Sequence, residues 1–310
     1  MTLALGKLRQ VHTCIVHDNC SDGMAAAVLV HDALPTVAIR FMQYNTAEHE
    51  QLPAEPGLLL CDFSPPPARI AEFRAAGTLV LDHHHSVKDS VLSLGADGVY
   101  AEEPGVSGAV LTYQQVWLPL VGKTATLYVQ QAAARMVQLI GIRDTWQTQS
   151  PDWTYAECMD AVLKFYDWDY WQQPFYRHDW AALRTLGERL VQRSAQQVQR
   201  LRAGAYLATS THGVRVLLVQ GVTQISQLSE VVATAADIVV GFLYLVEDGQ
   251  TRLVYTCRSH AGVDVGALSK FHGGGGHQKS AGFTLTVDPA TAPNPYQQFL
   301  ACLDAYQEAP

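Results

Sequence analysis

Apolar and polar positions divide this chain of 310 residues into two regimes. In the first hundred residues, short apolar runs alternate with stretches of helical spacing. His12 to His17, Val37 to Met42, Leu58 to Cys61 and Thr78 to Leu81 read as strands: brief, unbroken apolar runs rich in leucine and valine. Between them, Asp22-Gly23 predicts a turn and Met24 to Leu34 a helix closed by Pro35. Pro65-Pro66-Pro67 opens a helix to Ala76, with Gly77 as its stop. Strands alternating with helices predict a parallel sheet covered on both faces.

From about Gly105 the pattern turns helical, with apolar residues at helical spacing over Ser107 to Leu118 and Leu127 to Ile142. The stretch 151–180 is rich in Trp and Tyr. It reads either as a helical cap packed by aromatics or as a stacking surface for bases. A long helix, roughly Trp180 to Leu201, is polar on one side and leads to Ala203-Gly204. The final third returns to strands: Val214 to Val219, then a hairpin of Ile238 to Leu245 and Arg252 to Thr256 about an Asp-Gly turn. A helix over Val265 to Phe271, a strand over Ala281 to Val287 and a helix over Asn294 to Tyr306 close the chain. The expectation is α/β with two lobes. A doubly wound parallel sheet with its helical region fills 1–185, a connector helix 186–204, and a smaller α/β domain 205–310.

The composition, 48% hydrophobic and 16% charged, is that of an ordinary globular protein. No apolar stretch is long enough to span a bilayer, and the first residues do not read as a signal peptide. A cytoplasmic protein without a membrane partner is therefore expected. The six cysteines lack Cys-x-x-Cys spacing and are expected to be reduced thiols. A net charge of −8 disfavours a stable complex with long nucleic acid. A short phosphorylated substrate, held by local cations and metal ions, is compatible with it. A homodimer is left open.

Chemistry gathers where the apolar runs end. The first ends in His17-Asp18-Asn19-Cys20-Ser21-Asp22, another in Asp62, and another in Asp82-His83-His84-His85. A helix ends in Arg143-Asp144. In an open parallel sheet the carboxyl ends of strands face one crevice. Clustered carboxylates repel unless something neutralises them, and a pair of divalent cations does so. Mixed carboxylate and imidazole ligands suit Mn2+, with Mg2+, Fe2+ and Zn2+ as alternatives. Each residue also has a plainer reading: Asp62 as a helix cap, Asp22 as a turn residue, Asp144 as a partner of Arg143, His17 as a satisfied strand end.

A second constellation is Arg258-Ser259, followed by Gly273-Gly274-Gly275-Gly276-His277 and Lys279. Successive glycines let backbone N–H groups approach an anion, and arginine grips phosphate with two hydrogen bonds.

In this order, these residues resemble the DHH phosphoesterase superfamily with its DHH-associated C-terminal domain. Asp82-His83-His84 matches the naming motif; Gly273 to His277 with Ala281-Gly282-Phe283 matches the glycine-rich signature; Arg258-Ser259 matches the substrate-contacting motif. The resemblance implies a metal-binding catalytic lobe and a substrate-binding C-terminal lobe. It implies His17, Asp22, Asp62, His83 and Asp144 as ligands of one or two ions, with Asp62 bridging. His84 would face the scissile phosphate and Asp82 would orient it. Arg258, Ser259, Gly274, Gly275, Gly276 and His277 would grip substrate. One departure stands out: many members carry two aspartates in the first motif, and here Cys20 occupies the first place. Either one metal position is weakened, or Cys20, Asn19 or Asp18 substitutes; the plainer reading of Cys20 is a small buried residue beneath the site. The implied activity is a metal-dependent phosphodiesterase of the nano-RNase class. It would act on short oligonucleotides, linear dinucleotides or small phosphonucleotides. A RecJ-type single-strand exonuclease and a non-catalytic nucleotide-binding module are the competing readings.

Overall fold

The computed structural model describes residues 2–44, 46–247, 249–260, 262–288 and 293–308, without the side chains of Glu247 and His277. The chain forms two compact units, Met1–Val191 and Gln192–Pro310. No helix among the described residues is long and apolar enough to cross a membrane.

The first unit is built on five parallel strands: β1 (Thr13–His17), β2 (Ala38–Met42), β3 (Leu58–Cys61), β4 (Leu79–Asp82) and β5 (Gly98–Tyr100). Their order is β2-β1-β3-β4-β5. Side chains alternate across the sheet, so each central strand feeds two cores. Cys14, Val16, Leu59, Cys61, Leu79 and Leu81 pack with Ala26, Ala27, Val30 and Leu111. Ile15, Leu58, Leu60 and Val80 pack on the other face with Phe63, Phe73 and Val91. From β1 the chain steps to β2 on one side and then to β3 on the other. The strand order therefore reverses between β1 and β3, at the position where such sheets open a binding crevice.

The helix after β1 runs Ser21–Ala33 and starts earlier than the pattern predicted. Asp22 and Gly23 form its first turn rather than a separate turn. Gly23 permits this: a Cβ there would lie 2.1 Å from the His17 carbonyl oxygen, so the helix can begin directly against the end of β1. The helix before β4, Ile70–Ala76, ends as expected on Gly77 in a left-handed conformation, φ 72. Among the elements not foreseen are β5 and a short helix Lys88–Ser93; the aromatic-rich stretch, read as a helical cap or a stacking surface, contains the helix Trp153–Phe165. β5 is three residues long and its glycine hides the strand pattern. The stretch Ser107 to Leu118 divides into a helix Gly108–Thr112 and a more widely wound helical segment, Tyr113–Gly122, containing Pro119. Helix Leu127–Asp144 packs with Trp153–Phe165 over Met136, Ile140, Met159 and Val162, joined by Trp117, Trp171 and Phe175.

The second unit holds a mixed sheet: β6 (Tyr206–Thr209), β7 (Arg215–Gln220), β8 (Ile238–Glu247), β9 (Gln250–Ser259), β10 (Gly275–His277) and β11 (Ser280–Val287). The order is β10-β11-β9-β8-β7-β6, with β7 and β8 parallel and all other pairs antiparallel. Helices Val265–Phe271 and Pro295–Gln307 cover one face through Leu268, Phe299 and Leu303. Helix Ile225–Val231, also unforeseen, covers the other through Ile225 and Leu228. The long helix Trp180–Ala203 supplies Leu183, Leu186 and Leu190 to a core of the first unit. Its Val198 and Leu201 belong to a core of the second.

Candidate metal centre

The strand-end residues of the first unit meet at the switch point. Asp62 follows β3 with φ 55, a left-handed backbone that few residues other than Asn, Asp and Gly adopt. Its N–H donates to the Leu81 carbonyl at 2.9 Å, so the residue is fixed to β4. Its carboxylate is 1% exposed, and neither oxygen makes a hydrogen bond. It caps no helix. Instead Oδ1 lies 3.2 Å from His83 Nε2, and Oδ2 lies 3.7 Å from His17 Nδ1. Both of those nitrogens are buried and likewise without a hydrogen bond.

His83 Nε2 is also 3.3 Å from Asp144 Oδ2 and 3.6 Å from Asp22 Oδ2. Donor atoms around a cation bound at about 2.0–2.2 Å sit roughly 3 Å from one another. Four buried, unpartnered ligand atoms with that spacing fit a divalent cation; as isolated polar groups each would carry a desolvation penalty. Asp22, His83 and Asp144 form one group able to hold an ion, and Asp62, His83 and His84 another. His17, Cys20 and Asp62 form a third. All five predicted ligands are therefore brought together. Arg143 does not neutralise Asp144: it lies 3.9 Å from Asp160 and stacks over Trp146, 4.0 Å from the ring centre.

Asp82 plays a different part. Its carboxylate is fully buried and accepts five hydrogen bonds. They come from His83 N (2.7 Å), His84 N (3.0 Å), His84 Nδ1 (2.7 Å), Ser64 Oγ (2.6 Å) and Tyr44 Oη (3.1 Å). No oxygen is left for a cation, and the residue fixes the ring of His84. Burial alone would raise the Asp82 carboxyl, but the His84 hydrogen bond and charge outweigh it and hold it low. Burial likewise opposes protonation of His84, yet Asp82 and Asp62 raise it to about 9. Burial pushes Asp62 up, and the surrounding imidazoles override this to hold it well below the usual carboxylate range. Asp22 and Asp144 are raised, first by burial and then by carboxylate neighbours, Asp62 among them. His83, facing three carboxylates, rises to about 10 despite its burial. His85 is exposed and turns to Glu102, 3.4 Å away, outside the cluster.

Several supports were not singled out in the sequence. Ser107 Oγ (2.5 Å), Gly108 N (2.6 Å) and Ala109 N (2.9 Å) all donate to Asp22. This is a helix N-terminus closing on a carboxylate, favourable to its charge. The signal available was Ser-Gly-Ala opening a helical run. Tyr44 and Ser64, which hold Asp82, carry no local signature.

Of the three substitutes open for the missing aspartate, Cys20 joins the cluster. The Asp18 carboxylate is engaged by Asn19, through its N–H at 2.8 Å and its side-chain amide at 3.1 Å. Cys20 is the one cysteine of the six that is not fully buried. Burial and then Asp62, Asp144 and Asp22 raise its thiol. Beside it opens a pocket of about 610 Å³, lined by Asp18, Cys20, Phe41, Lys164, Tyr166 and Trp168 among others. The aromatic-rich region thus serves two ends: Trp171 and Phe175 are core, whereas Tyr166 and Trp168 line this pocket.

In the second unit, Arg258 lies mid-row in the sheet. Register pairs Ser280 with both Arg258 and residue 277, which puts 277, 280 and 258 in one cross-strand row. Arg258 Nε donates to Ser226 Oγ at 2.9 Å and Nη1 to the Cys257 carbonyl at 2.9 Å. Burial lowers its pKa, and no carboxylate contributes to it. Ser259 is buried, its N–H donating to the Lys279 carbonyl at 3.0 Å. Of the glycines expected to offer their backbone N–H groups to an anion, Gly275 and Gly276 lie in edge strand β10 against β11, and Gly273 and Gly274 precede it. Gly274 N donates to the Ser269 carbonyl at 2.8 Å, and a Cβ there would meet the Gly282 oxygen at 2.2 Å. Gly276 (φ 136) is similarly pressed against Ala281, while Gly275 faces open space. The side chain of His277, proposed to grip substrate, lies outside the described residues.

No protein-family profile and no curated protein matches the sequence. Solved structures do match. The pGpG-specific phosphodiesterase PggH of Vibrio cholerae is 12% identical with a TM-score of 0.55, over 95% of this chain and 99% of that one. A DHH domain from a protein described as a member of a family of ribosomal proteins is 10% identical with a TM-score of 0.54, over 98% and 87%. RecJ of Thermus thermophilus, solved with Mg2+, is 16% identical with a TM-score of 0.50, over 98% of this chain and 51% of RecJ. At these identities the likeness concerns the fold: the chain has the fold of DHH-domain proteins.

Proposed function

We propose that this chain, folded as DHH-domain proteins are, is a metal-dependent phosphodiesterase that hydrolyses short linear nucleotides. The observation that carries the reading is the set of four unpartnered, buried ligand atoms on His17, Asp62 and His83. Asp22 and Asp144 lie close by. Divalent cations held by these residues would polarise a phosphoryl oxygen and lower the pKa of water. Asp62 has an oxygen toward each of His17 and His83, which suits a bridging role. His84, fixed through Nδ1 by Asp82 and raised to about 9, is a cation at neutral pH. Its Nε2–H is left to donate to a phosphoryl oxygen as charge develops there. Arg258, with no carboxylate partner among the described residues, is the phosphate grip of the second unit in this reading.

The substrate class draws on three supports. PggH, similar in fold, is a pGpG-specific phosphodiesterase. The aromatic-lined pocket beside Cys20 suits a base. The charge of −8 leaves few cations for a long strand. Manganese is the favoured ion, on the mixed imidazole and carboxylate ligands. Free cysteines throughout agree with a reducing, cytoplasmic setting.

The test is a panel of labelled substrates, from pGpG to a long single strand, with Mn2+ or Mg2+. The expectation is fastest turnover on two to about five nucleotides, falling with length as charge accumulates. Faster cleavage of the long strand at equal salt would favour a RecJ-type exonuclease. Binding without turnover on every substrate would favour a non-catalytic module, the reading that Cys20 in place of a carboxylate supports.

A further inference from the structure

Cys20 departs from a centre made for hard, oxygen-preferring cations. It precedes helix Ser21–Ala33 in the N-cap position, with extended backbone (φ −124, ψ 133). Its ligand atom lies within 4.8 Å of those of His17 and Asp62. A cysteine at a helix start is ordinarily no more than a small residue. Here the two residues it meets carry buried atoms without a hydrogen bond: His17 Nδ1 and both oxygens of Asp62, the latter 1% exposed. The three residues offer sulfur, nitrogen and oxygen to one point.

The neighbouring group is chemically different. Asp22, His83 and Asp144 offer two carboxylates and one imidazole, and Asp62 Oδ1 lies 3.2 Å from His83 Nε2. Asp62 therefore belongs to both positions. Thiolate, imidazole and carboxylate together suit Zn2+ or Fe2+, whereas carboxylate-rich positions suit Mn2+ and Mg2+. Sulfur and nitrogen ligands of a tetrahedral zinc lie about 3.6 Å apart, within the observed limit.

We propose that Cys20 is a metal ligand and that the centre is mixed. In this arrangement a thiolate position formed by His17, Cys20 and Asp62 takes a borderline-soft cation such as Zn2+ or Fe2+. It sits beside an oxygen-rich position formed by Asp22, Asp62, His83 and Asp144. The inference rests on the metal centre of the proposed function and assigns its two positions to different classes of ion.

The experiment is titration of the metal-stripped full chain with Co2+, followed by absorption. Thiolate ligation gives a charge-transfer band in the near ultraviolet that oxygen and nitrogen ligands do not. The expected result is that band in the native chain. Cys20→Ser should lose it while keeping the visible bands of Co2+ at the oxygen-rich position. As a check independent of any variant, Zn2+ should protect the Cys20 thiol of the native chain from alkylation, mapped by mass spectrometry, and Mg2+ should not. Co2+ bound without the ultraviolet band, a band that survives in Cys20→Ser, or equal alkylation with and without Zn2+ would each overturn the proposal. A chain that binds no Co2+ at all would instead defeat the metal centre and the proposed function with it.

Discussion

Replacing Gly108 by alanine tests whether the cluster is held by backbone fit. A methyl group at this position would lie 2.4 Å from Asp62 Cβ, 2.7 Å from Asp62 Cα and 2.9 Å from Asp22 Oδ2. Carbon atoms in contact sit about 3.5–4.0 Å apart, so Asp62 must retreat by roughly 1 Å. Nothing nearby yields easily: Asp22 and Asp62 are 0% and 1% exposed, and Asp62 is tied to Leu81 through its backbone. Gly108 does not have a positive φ, so alanine can adopt its backbone; at this first helical position it gains less than the about 1 kcal/mol of propensity that a helix interior would give. Overpacking of a filled interior costs about 1–3 kcal/mol, and rigid neighbours favour the upper end. The metal-free chain should therefore lose about 1–2 kcal/mol net, a few degrees in Tm at about 2–4 °C per kcal/mol. The larger effect falls on the carboxylates. A misplacement of about 1 Å costs roughly a hundredfold in rate, so turnover should drop by that order and the rise in Tm on adding Mn2+ should shrink. The measurements are Tm with and without Mn2+, metal content and turnover. Gly6→Ala, where a Cβ meets nothing within 4 Å, is the control. A Gly108→Ala chain with native metal content and native turnover would refute the account of how Asp22 and Asp62 are placed.

Asp62→Ala should lose bound metal, read by elemental analysis, and turnover together; native turnover would contradict its assignment to the centre. Arg258→Ala should raise KM by roughly 10–100-fold, the 1.5–3 kcal/mol of a hydrogen bond to a charged group, with metal content unchanged. Loss of metal in that variant would contradict the separate role given to the second unit. Metal uptake should release protons: His83, raised to about 10, is protonated below that pH and must lose its proton to bind a cation. Affinity for Mn2+ should thus climb from neutral pH toward about 10. Calorimetry in two buffers of different ionisation enthalpy measures the release, and a pH-independent affinity would refute it.

What could be read in the sequence was whatever the local chain encodes. β3 is an apolar run of four residues, and its strand and the ligand behind it were legible together. Asp62, His83 and Asp144 were each found because they follow such a run or end a helix. Helix Val265–Phe271 matched its pattern to the residue, with Asp264 capping it by accepting from Ala267 N at 2.8 Å. The supports of the site were not legible, because they depend on contacts across the chain. Ser107 reaches Asp22 over 85 residues and Ser64 reaches Asp82 over 18. Nothing within either segment announces the partner. The edge strand within the glycine run was not legible for a related reason. Composition reports that the backbone comes close to something, and only register reveals that for Gly274 and Gly276 the something is β11.

Charge explains why the centre would be incomplete without cations, and why Cys20 belongs to it. Asp82 is already matched, since His84 donates to it at 2.7 Å and is cationic at neutral pH. Asp22, Asp62 and Asp144 are not matched in the same way: all three face the His83 imidazole at 3.2–3.6 Å, and Asp62 also faces His17 at 3.7 Å. Three carboxylates gathered around so few imidazoles repel one another, and burial magnifies that repulsion, which is why Asp22 and Asp144 are raised. Two divalent cations would bring four positive charges, with His83 binding as a neutral imidazole. Three carboxylates then leave an excess of one positive charge, which a Cys20 thiolate would cancel. The thiolate would thus stand where the resemblance places another carboxylate, with the same charge and a softer atom. Substitution by serine would leave the pair of cations one charge over, and substitution by aspartate would restore the balance while removing the sulfur. Total charge and ligand softness are therefore separable at this single position.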